Sequence, residues 1–539
     1  MKKKIILFTV VALGLLMNNQ SVNAQASMVK DIFPGADGSD CSRLTDVNGT
    51  LFFLAGDNIS GYELWMSDGT AAGTVLVKDI NPGVNGNNTS ELFSFNGTVL
   101  FRADDGTNGT ELWKSDGTAA GTVMLKDIRP GIDASFPGGF TEFNGEVYFG
   151  AKDGTSADEE LWKTDGTAAG TVKVSTVRPA SLNNMNGTLY LDVVSTTIGT
   201  EPWISDGTSA GTMLLKDINP TGNSQTSGYT YFNNKVFFRA NDGVNGHELW
   251  TSDGTSAGTT IFKDINPEAS HSYASIIAVY DNKMILTADD GVNGRELWVS
   301  DGTSAGTTLL KDLNVGPTGI TMSQSKVFSI GVMIALNDSI TGSELWITDG
   351  TTAGTVLVKD ISNGAQGSIT YPPTFVNIND TLYFTADNGT TGKELWISDG
   401  TTSGTVLVQD IQSGSSGSSP VHLANVNGDL FFSANDGING SELWKLESTL
   451  STGYLAKNEN QIRIYPNPFS SFTNLEFGEP LKEANVKIYN LYGQMVKQID
   501  NISGKSIVLM RGDLPSGQYF IHLKQSNNVF ISERIVIVD

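Results

Sequence analysis

Apolar and polar positions alternate along residues 77–124 in short runs that glycine interrupts. Leu92-Phe93-Ser94-Phe95 leads into Asn96-Gly97, and Thr98-Val99-Leu100-Phe101-Arg102-Ala103 follows. Asn-Gly between two alternating runs is the strongest short hairpin signal, because both residues accept the positive φ of the tight turn. Asp105-Gly106-Thr107-Asn108-Gly109 marks a second turn, and Glu111-Leu112-Trp113 starts a third strand. Asp116-Gly117-Thr118 marks a third turn before a fourth strand from Val123 to Ile128. No run keeps a 3.6-residue apolar period between helix caps. The pattern predicts four short strands and almost no helix.

The same pattern recurs. All nine tryptophans sit in it: Trp65, Trp113, Trp162, Trp203, Trp250, Trp298, Trp346, Trp396 and Trp444. Successive spacings are 48, 49, 41, 47, 48, 48, 50 and 48 residues. A fixed period of this size means a propeller, a solenoid or an array. The region opens on Met28-Val29-Lys30-Asp31-Ile32, a lone fourth strand, and ends at Trp444 in a third strand with no fourth after it. Complementary ends suit a ring, whereas an open solenoid needs polar caps. The expected fold is all-β: a β-propeller of nine four-stranded repeats of about 48 residues over 25–446. Unit four is irregular, with a short spacing, no Lys-Asp-Ile before it, and Glu201-Pro202-Trp203 in place of Glu-Leu-Trp.

Residues 63–80, ELWMSDGTAAGTVLVKDI, and their copies resemble the ELWxxDGT repeats of secreted bacterial proteins. The resemblance covers about four fifths of the chain. It implies an extracellular protein and assigns no chemistry.

The two ends differ in kind. Lys2, Lys3 and Lys4 precede an apolar run from Ile5 to Met17, and Val22-Asn23-Ala24 makes a small-residue cleavage pattern before Gln25. Residues 1–24 are expected to be a signal peptide, leaving no transmembrane segment in the mature chain. Residues 447–461 read as a linker, and 462–539 as a small β-sandwich with alternating runs such as Val486-Lys487-Ile488-Tyr489. This last part resembles the type A C-terminal sorting domain of the type IX secretion system. The resemblance rests on Tyr465-Pro466-Asn467-Pro468, on Val486 to Gln494 through Gly493, and on Leu514-Pro515-Ser516-Gly517-Gln518-Tyr519. Where the family often has Arg after Gly, this chain has Gln494. The resemblance implies Sec export followed by passage through the type IX machinery to the outer cell surface.

Composition sharpens the picture. Residues 25–447 carry 22 basic and 50 acidic side chains, a net −28, against −24 for the whole chain. Such a surface excludes a nucleic-acid binder, which must neutralise phosphates. One cysteine, Cys41, excludes an intramolecular disulfide scaffold. The four histidines, His247, His271, His422 and His522, show no ligand spacing in sequence.

Two kinds of candidate site remain. Acidic residues before the third strands, Asp104, Asp105, Asp289 and Asp290, suit Ca²⁺ by their oxygen chemistry and suit turn capping equally. Residues that differ among units are expected in the loops after the fourth strands: Phe136, Phe140, Tyr229, Tyr231, His271, Tyr273, Tyr371 and His422. Such loops gather on one face, where aromatic and polar groups can hold a glycan or a protein. A binding or adhesion module is the first expectation. The alternative is an extracellular polysaccharide-acting enzyme with acids in the channel.

Overall fold

The computed structural model describes residues 25–84, 86, 89–156, 158–369, 374–446, 462–465, 469–490, 495–525 and 528–538. The expected signal peptide 1–24 and linker 447–461 lie outside them. The chain divides into two compact units between Ser448 and Thr449.

Every element among the described residues is a strand. In the second sheet Leu92–Phe95, Thr98–Asp104, Thr110–Ser115 and Val123–Lys126 pair in that order. Asn96 and Gly97 take φ of 49° and 76°, as the tight hairpin requires. Before the fourth strand, Asp116 Oδ1 accepts from Thr118 N–H and O–H at 2.9 and 2.7 Å. Thr118 Oγ1 accepts from Gly121 N at 2.9 Å, and Thr122 Oγ1 donates to the Thr118 carbonyl at 2.7 Å. A β-carbon on Gly121 would stand 2.1 Å from Asp116 Oδ1, so only glycine fits. The same capping recurs at Asp68, Asp165, Asp206, Asp253, Asp301, Asp349 and Asp399. Turn chemistry accounts for the whole DGT motif.

Nine four-stranded antiparallel sheets follow one another among the described residues before Ser448, compatible with a propeller-like fold. The ninth is composite. Val421–Val426, Asp429–Asn435 and Ser441–Leu446 take Ala26–Lys30 as their fourth strand, with Met28 opposite Trp444. Unit four is short because its crossover is short: the third sheet ends at Ser175 and the fourth begins at Arg178. Its last strand is only Met213–Leu214.

Buried apolar side chains gather between consecutive sheets. Val47, Phe52 and Leu64 of the first meet Val99, Phe101 and Trp113 of the second. Val426, Phe431 and Leu443 of the ninth meet Leu51, Phe53 and Trp65 of the first. Eight of the nine tryptophans are buried and Trp203 is half-buried, so the recurrent tryptophan is a wedge between sheets, not a platform open to sugars. The lysine of Lys-Asp-Ile reaches across the same gap. Lys78 Nζ donates to the Thr122 carbonyl of the next sheet at 2.8 Å, and Lys126, Lys263 and Lys359 repeat the contact. The eighth sheet has Gln409 there instead. Its neighbour is the N-terminal strand, which follows no DGT turn, and Gln409 Oε1 accepts from Ala26 N at 2.9 Å.

In the C-terminal unit, Ile462–Tyr465, Phe472–Asn490, Met495–Met510, Gly517–Gln525 and Asn528–Ile537 are joined in one five-stranded hydrogen-bonded sheet. Its two longest strands pair through four register shifts, which let a long ribbon bend over its own core. Leu475, Val486, Ile488, Leu509, Ile521 and Ile535 fill that core.

Candidate functional site

In a four-stranded antiparallel sheet, the turn after the second strand and the crossover after the fourth leave from the same end. The crossovers are tied there by the glutamate of Glu-Leu-Trp, a residue that the sequence marks only as a strand start. Glu111 is fully buried. Its carboxylate accepts from Ile128 N at 2.7 Å, Ser135 N at 3.0 Å and Ser135 Oγ at 2.7 Å. Glu248 holds Ile265 N at 2.7 Å and Ser272 N at 2.8 Å. Glu442 holds Ile32, Phe33 and Ser39 N–H groups at 3.1, 3.1 and 3.0 Å. Where the crossover shrinks, before unit four, Glu160 pairs with Lys173 Nζ at 3.0 Å instead.

Burial pushes these carboxyls up against the pull of their N–H donors: Glu63 to about 8, and Glu111, Glu248 and Glu296 to about 7. The aspartates of Lys-Asp-Ile add repulsion, Asp79 at Glu63 and Asp127 at Glu111. Oδ1 of each is buried without a partner among the described residues. A folded pKa above the unfolded value gives stability that is fully present below the unfolded pKa. That stability is lost as pH rises through the folded pKa, here about 7 to 8. The urea midpoint of the repeat region is expected to be lower at about pH 8.5 than at about pH 5.5, at constant ionic strength. An equal midpoint at both values would contradict the buried-glutamate account.

The residue after the tying serine is held in the left-handed region. Asp40, Phe136, Gln225, Tyr273 and Ser419 have φ of 50°, 49°, 48°, 46° and 48°. They follow Ser39, Ser135, Ser224, Ser272 and Ser418, all buried. Bulky side chains rarely adopt this conformation, so the frame imposes it. All five side chains are exposed, Phe136 by 49% and Tyr273 by 45%. One frame thus presents a different side chain from each of these units.

The other expected ligand residues scatter. His422 is exposed on the first strand of the ninth sheet at φ 56°, near Arg43 of the first sheet. Phe140 and Tyr229 belong to the core instead. They lie within the first strands of their sheets, where Phe140 packs on Phe149 and Tyr229 stacks on Phe238. Tyr231 lies at the opposite end, because Ser227–Phe232 runs away from the crossover. Its hydroxyl accepts from Asn186 Nδ2 of a hairpin turn at 2.8 Å. Tyr371 is outside the described residues. His271 finds a neighbour that spacing did not suggest: its Nδ1 accepts from His247 N at 2.9 Å, and the two rings are 5.0 Å apart. Tyr273 stacks on His247 at 5.5 Å.

The four candidate calcium ligands cap turns. Asp104 Oδ1 accepts from Gly106 N, and Asp105 Oδ1 from Thr107 and Asn108 N–H groups. Asp289 and Asp290 do the same for Gly291, Val292 and Asn293. Among the described residues, no three His, Cys, Asp or Glu side chains form a group able to hold a metal ion.

In the C-terminal unit Leu514 packs against the core, Gly517 opens a strand, and buried Tyr519 donates its hydroxyl to the Pro515 carbonyl at 2.8 Å. Tyr465 ends the strand Ile462–Tyr465, while Pro466, Asn467, Pro468 and Gly493 lie outside the described residues. Residues 463–538 match the model of the secretion system C-terminal sorting domain. This region is a type IX sorting domain. The sorting domain makes the protein a cargo of the type IX machinery, exported to the cell surface or the extracellular space.

No curated protein sequence matches the chain. Three distant likenesses appear among solved structures. One is PorZ, a bacterial surface component of the type IX secretion system of Porphyromonas gingivalis (12% identity, 93% of this chain, 82% of that one, TM-score 0.23). The others are a puromycin hydrolase (13%, 65%, 59%, 0.34) and oligopeptidase B from Leishmania major (12%, 65%, 53%, 0.38). The chain spans less than two thirds of the length of these two hydrolases. Likenesses this distant assign no activity. Among the described residues, no helix is long and apolar enough to cross a membrane.

Proposed function

We propose that the protein is a surface-displayed or released binding and adhesion module whose ligand is a glycan or a protein. Its nine sheets close into a nine-bladed propeller, latched by Ala26–Lys30, and the C-terminal sheet folds into a small sandwich. A signal peptide over 1–24 takes the chain through the Sec pathway, and the sorting domain takes it onward. One observation carries the binding reading: Asp40, Phe136, Gln225, Tyr273 and Ser419 share one imposed conformation and differ in side chain. A rigid frame offering varied exposed groups is what recognition requires, and loops on rigid scaffolds carry function more often than cores do. A glycan array followed by hydrolysis assays on the hits tests it. Binding without turnover is expected, weakened by Phe136→Ala combined with Tyr273→Ala. Turnover of a hit would transfer the protein to the enzymes, and silence across glycan and protein ligands would make it a structural surface component.

A further inference from the structure

The repeat region is strongly acidic, yet it half-buries a cation with an unanswered donor. Arg239 stands in the strand Lys235–Asn241 of the fifth sheet, opposite Leu249. It lines a cavity of about 220 Å³ together with Ser227, Gly228, Ala274, Ser275 and Ile276, where the fifth sheet faces the sixth. Its Nε is buried, and no described residue accepts from it. Arg295 of the sixth sheet lies close enough for the two guanidinium charges to repel. Arg295 directs Nε and Nη2 to the neutral Thr287 Oγ1 at 3.0 and 2.7 Å, and Asp289 offsets its charge.

Equivalent positions in other sheets show what a settled site looks like. In the second sheet Arg102 Nε donates to Ser90 Oγ at 2.6 Å. In the fourth sheet the residue is Asp192, buried, and its carboxylate accepts from the hydroxyls of Ser181, Thr226 and Tyr229. The chain thus satisfies a charge or a donor at this position in neighbouring units and leaves Arg239 Nε without an acceptor. Leaving such a donor unpaired away from water is costly. Nε itself is sealed off, so an external anion meets Arg239 where its side chain lines the cavity, and a guanidinium fork fits carboxylate and sulfate oxygens in pairs.

We infer that the cavity between the fifth and sixth sheets binds a carboxylate group borne on a sugar residue of an extracellular glycan, with Arg239 as its principal donor. The inference rests on the reading that this region binds ligands, and it names the ligand's chemistry. The volume falls below the roughly 300–1,000 Å³ of pockets that enclose whole drug-sized ligands. It therefore accepts one sugar unit, the remainder of the chain lying outside. The −28 on residues 25–447 repels anions at a distance, so discrimination comes from close contact.

Calorimetric titration of the full mature chain with sodium galacturonate, sodium sulfate and neutral galactose tests this. Saturable binding of galacturonate is expected, with sulfate competing and galactose silent. Arg239→Gln is expected to weaken galacturonate at least tenfold, and Arg239→Lys to retain part of the affinity. If Arg239→Gln fails to fold, the thermal shift of the unaltered chain in galacturonate, against chloride at equal ionic strength, replaces it; a rise in melting temperature supports the site. Binding of neither anion, or undiminished binding by Arg239→Gln, overturns it. Binding of sulfate without galacturonate means an adventitious ion only and overturns it too. Array hits retained in a chain that binds no anion would sink the cavity inference and leave the broader binding function standing. Galacturonate binding that Arg239→Gln weakens, without any array hit, would support the cavity inference and narrow the binding function to single acidic sugars.

Discussion

Glu442→Ala is expected to lower the unfolding free energy of the repeat region by about 3 kcal/mol or more, well beyond the usual point substitution. Three backbone N–H groups and the Ser39 hydroxyl, at 2.7 Å, converge on this one carboxylate. Each buried donor left without an acceptor costs about 1–3 kcal/mol, with partial relaxation making the sum less than additive. The donors lie near the start of the chain and the acceptor near the end of the repeats, separated by 410 residues for Ile32. The loss therefore falls on the contact that joins the N-terminal segment to the last sheet. Urea denaturation of the unaltered chain, Glu442→Ala and Glu442→Gln measures it. Glutamine keeps one acceptor and should recover part of the loss. If Glu442→Ala costs no more than alanine at the exposed Glu268, the carboxylate does not hold the ends together.

Deleting 462–538 is expected to reduce surface-exposed and extracellular protein to background, with the repeat region retained inside the envelope and still folded. The deleted part forms a compact unit with its own buried cluster, and the clusters between the sheets before Ser448 include none of its residues. Protease accessibility on whole cells reads display, and a melting curve on the retained protein reads folding. Undiminished display would overturn the sorting role. Retention with a collapsed melting temperature would show that the tail is needed for folding as well as for routing.

The parts of this molecule that were legible in the sequence are those whose partners lie nearby. Asn96-Gly97 and Asp116-Gly117-Thr118 specify turns closed within a few residues, and turn chemistry is local. The nine tryptophans also announced themselves, because a large apolar residue at a fixed period has few roles other than packing. Glu111 and Lys78 did not. Their partners are 17 to 44 residues away, and nothing in Glu-Leu-Trp or Lys-Asp-Ile states what they hold. The candidate ligand residues split for a related reason. Phe136 precedes its strand and Phe140 lies inside it, but the boundary falls at a register shift between Gly138 and Thr141 that no turn residue predicts. Arg239 was hidden more thoroughly. Phe238-Arg239-Ala240 reads like Phe101-Arg102-Ala103, and the difference is the presence of Ser90 beside one arginine and the lack of any such acceptor for the other's Nε.

The strand Ala26–Lys30 sets an order of events. It is synthesised before its partner Ser441–Leu446, which comes more than four hundred residues later. Eight sheets can be hydrogen-bonded before the ninth has all four of its strands. Contacts this distant in sequence form slowly, because the intervening chain must first be arranged. The strand made before all nine sheets' other strands is thus the last to find its place, and until then the unfinished ninth sheet keeps an edge exposed. Completion of the nine sheets comes only after the last repeat is available, which makes it a checkpoint on synthesis of the whole repeat region.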